Sequence, residues 1–444
     1  MQALAQDHDT DPPIDDLGPL AWVLDELRKS LEIAVAALRR FVRESRQAQT
    51  SEGDGDGDGA VDTAQLRLAR QNLHQTVGAL EMVGLPAAAQ LLRAMEAAVH
   101  RAIEQPQLCT EAAVSKIERA GYALIEFLEA LLLGKRVTAV ALFPQYREVQ
   151  ELAGAERVHP ADLWSLEWRW QEPETPAPAQ ALPYAPAVRA RMDQAVLRIV
   201  KAGEAAAARD LWRISIALSA GAGADAPQAR SFWKLSAGFF EALSLGLLPP
   251  DVYSKRAASR VLVQYAQFAK GDTNVGERLA QDLVFFCAQA VPDATAPAPL
   301  LAAVRQAWGL DRFAPVDYLS PKFGRFEPAV LAQVRKRIAA AKEAWSAVAG
   351  GDASRLRNVG DVFRQVADSL TRLHPPTTPL AAVLTAVGEQ AAQGDQLPGA
   401  ELAMEVATAI LYLEAAFQDL DPDAQVQIVV IVLAKKSGAA VAAE

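Results

Sequence analysis

Cysteine is nearly absent from the 444 residues: Cys109 and Cys287 stand far apart, and neither has a second Cys or a His at metal-ligand spacing, so no zinc site is expected. Strand-building runs of Val, Ile, Thr and aromatics are scarce. Clustered Lys and Arg are missing too, and with a net charge of −10 and a pI near 5.2 this argues against a nucleic-acid surface and for a protein partner. The apolar run from Ile428 to Ala434 is far short of the ~20 residues a membrane span needs, so no direct membrane insertion is expected. The first residues, MQALAQDHDTDPPIDD, have neither a basic nor an apolar leader region, which predicts a cytoplasmic protein. No carboxylate pair, nucleophile elbow or metal-ligand spacing is found, which disfavours a small-molecule enzyme and predicts no cofactor.

What is present is helical. Hydrophobic residues make up 51% and charged residues 22%, a globular balance, and Ala, Leu, Arg, Glu and Gln dominate as they do in helices. The length suits two to four domains of roughly 100 to 200 residues. The expected fold class is all-α, built of tandem helical bundles.

After a disordered start at 1–15, apolar residues recur every three to four positions from Gly18 to Ser45, which predicts a long amphipathic helix. An Asp/Gly segment at 50–60 reads as a flexible loop. Further helices are predicted at about Thr63 to Met82, Pro86 to Glu104 and Glu111 to Leu133, so that 16–158 forms a four-helix bundle. Residues 159–186 run from an aromatic group, Trp164, Trp168 and Trp170, into a Pro/Ala-rich stretch and read as a linker. The tryptophans suit either a partner-binding patch or a cover for the open end of the bundle. A second helical domain is expected at 187–325, a third helical unit at 326–422, and a divergent tail at 423–444. Asp54, Asp56, Asp58, Gly59 and Asp62 imitate a calcium loop, but Gln65 stands where the bidentate Glu belongs, so a solvated loop without metal is expected.

The segment Leu73 to Glu96, LHQTVGALEMVGLPAAAQLLRAME, resembles the signature of histidine-phosphotransfer domains, with His74, Gly78, Gly84, Leu91, Met95 and Glu96 on matching positions. That resemblance makes the first bundle phosphotransfer-like and His74 its candidate phosphoacceptor, with Gln75, Gly78, Glu81 and Gly84 on a docking face. Residues four apart share a helix face, so Gly78 keeps the approach to His74 clear. The family carries Lys three residues after its His; here Val77 replaces it, and loss of such a charge costs on the order of 2 to 4 kcal/mol of transition-state stabilisation. Phosphotransfer through His74 and a degenerate docking bundle both remain open.

More widely, DLGPLAWVLDELRKSL, HQTVGALEMVGL, ALFPQYREVQELAGAERVHPADLW and EVATAILYLEAAF resemble the N-terminal region of ChpA/PilL-type chemosensory hybrid histidine kinases and the related scaffold protein FimL. The resemblance makes 187–325 similar to the FimL second domain. It implies a signalling scaffold in the chemotaxis-like two-component phosphorelay that controls type IV pili and twitching motility. Its partners would be CheY-like response-regulator receivers and other polar or pilus-signalling proteins. No ATP-lid run or receiver pocket is read in these residues, so the chain would be at most a phosphotransfer intermediate. The alternative is an active phosphotransfer protein, or the N-terminal fragment of a hybrid kinase, relaying phosphate through His74.

Overall fold

The computed structural model describes residues 18–51, 62–176, 180–223, 226–292, 297–393 and 397–418. The expected disordered start, most of the Asp/Gly loop with Asp54, Asp56, Asp58 and Gly59, and the tail at 423–444 lie outside them. The described residues form an all-α protein without a strand among them. They divide into two compact units, Met1–Ala120 with Phe127–Ser320, and Gly121–Glu126 with Pro321–Glu444.

The first unit begins with helices α1 (Gly18–Ser51), α2 (Ala64–Met82), α3 (Pro86–Glu104), α4 (Glu111–Leu132, apart from Gly121–Glu126) and α5 (Phe143–Ala153). In α1, Leu20, Leu24, Leu27, Leu31, Ala34, Leu38 and Phe41 are buried at alternating spacings of three and four, the seam of a helix packed lengthwise on a neighbour. That neighbour is α2, which packs in turn on α3, while α4 is tied to α1 by Arg28 to Glu129 at 2.7 Å and Arg39 to Glu118 at 2.6 Å. Gly84, at φ 77, makes the α2–α3 turn in a backbone region that side chains disfavour. Thr110 caps α4 by accepting the Ala113 N–H. The fifth helix, α5, opens with Pro144 in its first turn and packs on α3.

The same unit continues with α6 (Pro186–Ala202), α7 (Ala205–Gly221), α8 (Pro227–Ser244), α9 (Val252–Phe268), α10 (Glu277–Gln289) and α11 (Pro299–Trp308). Ile216, Ala237 and Leu300 form a buried cluster where α7, α8 and α11 meet. A Cβ on Gly238 would stand 2.8 Å from Val304 Cγ2, so only Gly lets α8 approach α11 this closely. Glu241 sits beneath that crossing and accepts the Leu301 N–H at 2.8 Å, satisfying a backbone donor at the start of α11. The segment read as a linker is strapped down between 164 and 172. Trp164 packs edge-on against Phe285 and Phe313, and Trp168 stacks on Trp308. Arg230 and Lys234 both grip Glu172, and Arg230 holds that carboxyl down to about 2.

The second unit contains α12 (Pro328–Ala349), α13 (Leu356–Leu373), α14 (Thr378–Gln393) and α15 (Ala400–Gln418). α13 and α14 cross at Gly360 and Gly388, where a Cβ on Gly388 would lie 3.2 Å from Gly360 Cα. Trp345 fills the space between α12 and α15, its indole N–H on the Ala403 carbonyl at 2.9 Å. No described helix is long and apolar enough to cross a membrane.

Candidate functional site

α2 buries Leu66, Ala69, Leu73, Thr76, Val77 and Leu80, a helical stripe that turns the opposite face outward. His74 stands on that outer face with 74% of its side chain exposed. Gln75, Glu81 and Gly84 are exposed around it, and Gly78 is half-buried one turn away. A Cβ added at Gly78 would meet nothing within 4 Å. Glycine inside a helix costs roughly 0.5 to 1 kcal/mol relative to alanine. Since none of the described residues comes near that space, the cost is borne at a position whose smallness shows only outward.

The antiparallel return of α3 sets Glu96 opposite His74, with Nδ1 and Oε2 3.2 Å apart. A carboxylate can only accept, so the imidazole donates from Nδ1, and in the neutral ring this leaves the lone pair on Nε2. Glu96 also faces Arg70, whose Nε is 3.4 Å from Oε1. Arg93 on α3 pairs with Glu81, which anchors one of the predicted docking-face residues to the neighbouring helix. The arrangement is an exposed imidazole held in one tautomer by a carboxylate, beside an unobstructed turn of helix and near one guanidinium.

Val77 is buried, so the position three residues after His74 points into the bundle and not at the imidazole. A lysine there would have to leave the core before its charge could reach a phosphoryl group. The nearest cation on α2 precedes the histidine: Arg70 is one turn upstream, with Arg67 exposed a further turn along. Sequence reading that follows the family signature downstream from the histidine passes over both. Their signal is the i−4 and i−7 spacing, which places them on the same face as His74.

The other described histidines differ. His100 is exposed and lies 3.6 Å from Glu104, and His374 is buried edge-on against Phe326. His159 is buried among Tyr253, Phe285 and Phe286. Its Nδ1 accepts the Ala161 N–H at 3.1 Å and stands 3.4 Å from Asp282. Burial, and then Arg157, hold its pKa well below the ordinary value, so the ring is neutral with its proton on Nε2, which finds no hydrogen-bond partner among the described residues. Asp282, 2% exposed, accepts from Arg157 at 2.6 Å and from Arg260 at 3.4 Å. Among the described residues no group of three or more His, Cys, Asp or Glu is placed to hold a metal ion. Burial pushes the Cys109 thiol up to about 11 and the Cys287 thiol higher still, so neither is a ready nucleophile.

Fold and site thus define an all-α protein of tandem bundles with an exposed, carboxylate-paired histidine on an open helix face. Residues 177–321, which hold α6 to α11, match the family model described as the FimL scaffold protein second domain. The match covers less than half of the chain and makes this region similar to part of a scaffold protein. No curated protein and no solved structure matches the chain.

Proposed function

We propose that this protein is a signalling scaffold of the chemotaxis-like system that controls type IV pili and twitching motility, and that its α2 face docks CheY-like response-regulator receivers. The observation that carries the reading is the exposed His74 beside a glycine that no internal contact requires. A receiver's active-site loops need such a clear, polar helix face, and Gln75, Gly78, Glu81 and Gly84 frame it. The similarity of 177–321 to a scaffold protein's second domain supports a role in bringing proteins together. The buried Val77 supports docking without efficient phosphotransfer, because the cation that would meet the phosphoryl oxygens has no outward position there.

A second reading is favoured by one specific contact. Glu96 fixes the His74 tautomer that exposes the Nε2 lone pair, as an attacking imidazole requires. In this reading Nε2 takes the phosphoryl group from a receiver phospho-aspartate, with the carboxylate as leaving group, and Glu96 stabilises the imidazolium that forms. The two readings part in one experiment: incubation with a phosphorylated CheY-like receiver of the same organism, following acid-labile phosphate on wild type and on His74→Gln. The scaffold reading expects receiver binding without label on either protein. Label on the wild type that vanishes in His74→Gln would replace it with the phosphorelay reading.

A further inference from the structure

A second surface of the first unit carries charge that neither reading of His74 uses. A groove of about 680 Å³ runs between residues 156–159, Val200 near the end of α6, one face of α9 and Asp282 on α10. Four cations line it, Arg157, Lys255, Arg256 and Arg260, against two carboxylates, Glu156 and Asp282. Asp282 is already committed to Arg157 and Arg260. Lys255 and Arg256 have no carboxylate partner among the described residues, on a chain whose net charge is −10. Beside them Val200 and Val252 are 40% and 48% exposed, aliphatic side chains left in water at the lip of a cationic groove.

The spacing of these groups is regular. Val252, Lys255, Arg256, Ser259 and Arg260 fall at helical intervals on a single face of α9 that rises about 12 Å from first to last. Arg256 and Arg260 are one turn apart, a rise of about 6 Å, close to the ~6.8 Å between alternate side chains of an extended peptide. Carboxylates at alternate positions would reach successive cations, and an aliphatic side chain between them would cover the two valines. A polyphosphate backbone fits less well, because it has no apolar group to cover Val200 and Val252. Unpaired cations on an acidic protein concentrate field where an acidic partner arrives, raising its association rate and excluding neutral competitors.

We propose that this groove is a docking site for an extended acidic peptide segment of a partner protein. Its carboxylates engage Lys255, Arg256 and Arg260, and one aliphatic side chain lies across Val200 and Val252. The site is independent of His74, so either surface can fail without the other.

The test is fluorescence anisotropy with the full chain and a fluorescein-labelled peptide of alternating Glu and Leu, alongside the same peptide with Gln for Glu. The Glu peptide is expected to bind and to weaken with added salt. Charge reversal at two steering cations, Lys255→Glu with Arg256→Glu, should weaken it by about tenfold or more, with helical circular dichroism unchanged. Val252→Ser should weaken it a few-fold and leave the salt dependence alone. Equal binding of the Gln peptide, absence of binding by the Glu peptide, or a folded double variant that binds as wild type would overturn the proposal. So would a single-stranded oligonucleotide that displaces the peptide at lower concentration than unlabelled peptide does. The salt and Gln-peptide arms use only wild-type protein and decide the matter even if the double variant fails to fold.

Discussion

Two histidines in the first unit have their Nδ1 close to a carboxylate, at nearly the same distance, yet stand in opposite environments. His74 is in solvent, donates to Glu96 and keeps Nε2 free for chemistry or docking. His159 is enclosed by aromatic rings; its Nδ1 accepts a backbone N–H, and cations share the carboxylate beside it. The contrast teaches that a His–carboxylate distance alone does not identify a reactive site. Exposure of the second nitrogen and the direction of the hydrogen bond decide. The glycines repeat the lesson: a Cβ on Gly78 meets nothing, whereas one on Gly238 runs into Val304.

The largest effect should come from the buried carboxylate. Asp282→Ala opens a cavity at a buried position and takes one carboxylate from Arg157, which keeps Asp162, and from the half-exposed Arg260; it should cost about 2 to 3 kcal/mol in chemical denaturation. A comparable loss on Glu96→Ala, which removes a carboxylate from a surface pair, would erase the distinction between the two regions. Gly238→Ala overpacks the α8–α11 crossing and should cost about 2 kcal/mol in the same measurement.

The pH dependence sharpens the contrast further. The folded-state pKa of His159 is depressed, so below the ordinary value of 6.5 the unfolded chain binds more protons. Its contribution to stability is therefore complete at higher pH and lost as pH falls, by up to about 1.4 kcal/mol per pH unit. Burial raises the Asp282 pKa, so its contribution runs the other way, present at low pH and lost as pH rises. Comparison with His159→Asn, which keeps an acceptor for the Ala161 N–H, isolates the histidine. The variant should show the shallower loss of stability between pH 6.5 and 5, and equal slopes would contradict a neutral buried ring. The smallest effect has the opposite sign: Gly78→Ala should stabilise the chain by about 0.5 to 1 kcal/mol, because only helix propensity changes.

Much of the helical architecture is legible in the sequence because it is written in periodicity. The leucine spacing of α1 and the apolar stripes of α2 and α3 match the buried sets, and Gly84 marks the turn between them. α1 itself runs to Ser51, past the Ser45 end its periodicity suggests. Neither α5 nor α14 is predicted. α5 is short and opens on Pro144, which reads as a break although Pro suits a first turn. α14 follows Pro375 and Pro376 and is so rich in Ala that its buried and exposed faces barely differ. The strapping of Trp164, Trp168 and Glu172 onto α8, α10, α11 and Phe313 is invisible locally, since their partners lie 58 to 149 residues away.

At the candidate site the sequence supplies His74, Gly78 and Glu96, but not their geometry. Nothing in one dimension shows that Glu96 meets Nδ1, that Arg70 shares that carboxylate, or that Val77 faces inward. Three of the groove's four cations, Lys255, Arg256 and Arg260, lie close together on α9, but Arg157 and Asp282, which complete the groove, are distant in sequence, so the groove itself is not legible locally.

The central claim, that the α2 face around His74 docks a receiver, is tested most directly by titrating a CheY-like receiver of the same organism into wild type and Gly78→Arg and reading the heat of binding. Arginine at that open position should leave the fold intact, checked by helical circular dichroism, because a Cβ there meets nothing within 4 Å, and its side chain would stand in the approach to His74. The wild type is expected to bind and Gly78→Arg to lose at least about tenfold in affinity, the loss of ~1.4 kcal/mol expected when a side chain obstructs a contact surface. Equal affinity in both proteins would place the receiver elsewhere and contradict that claim.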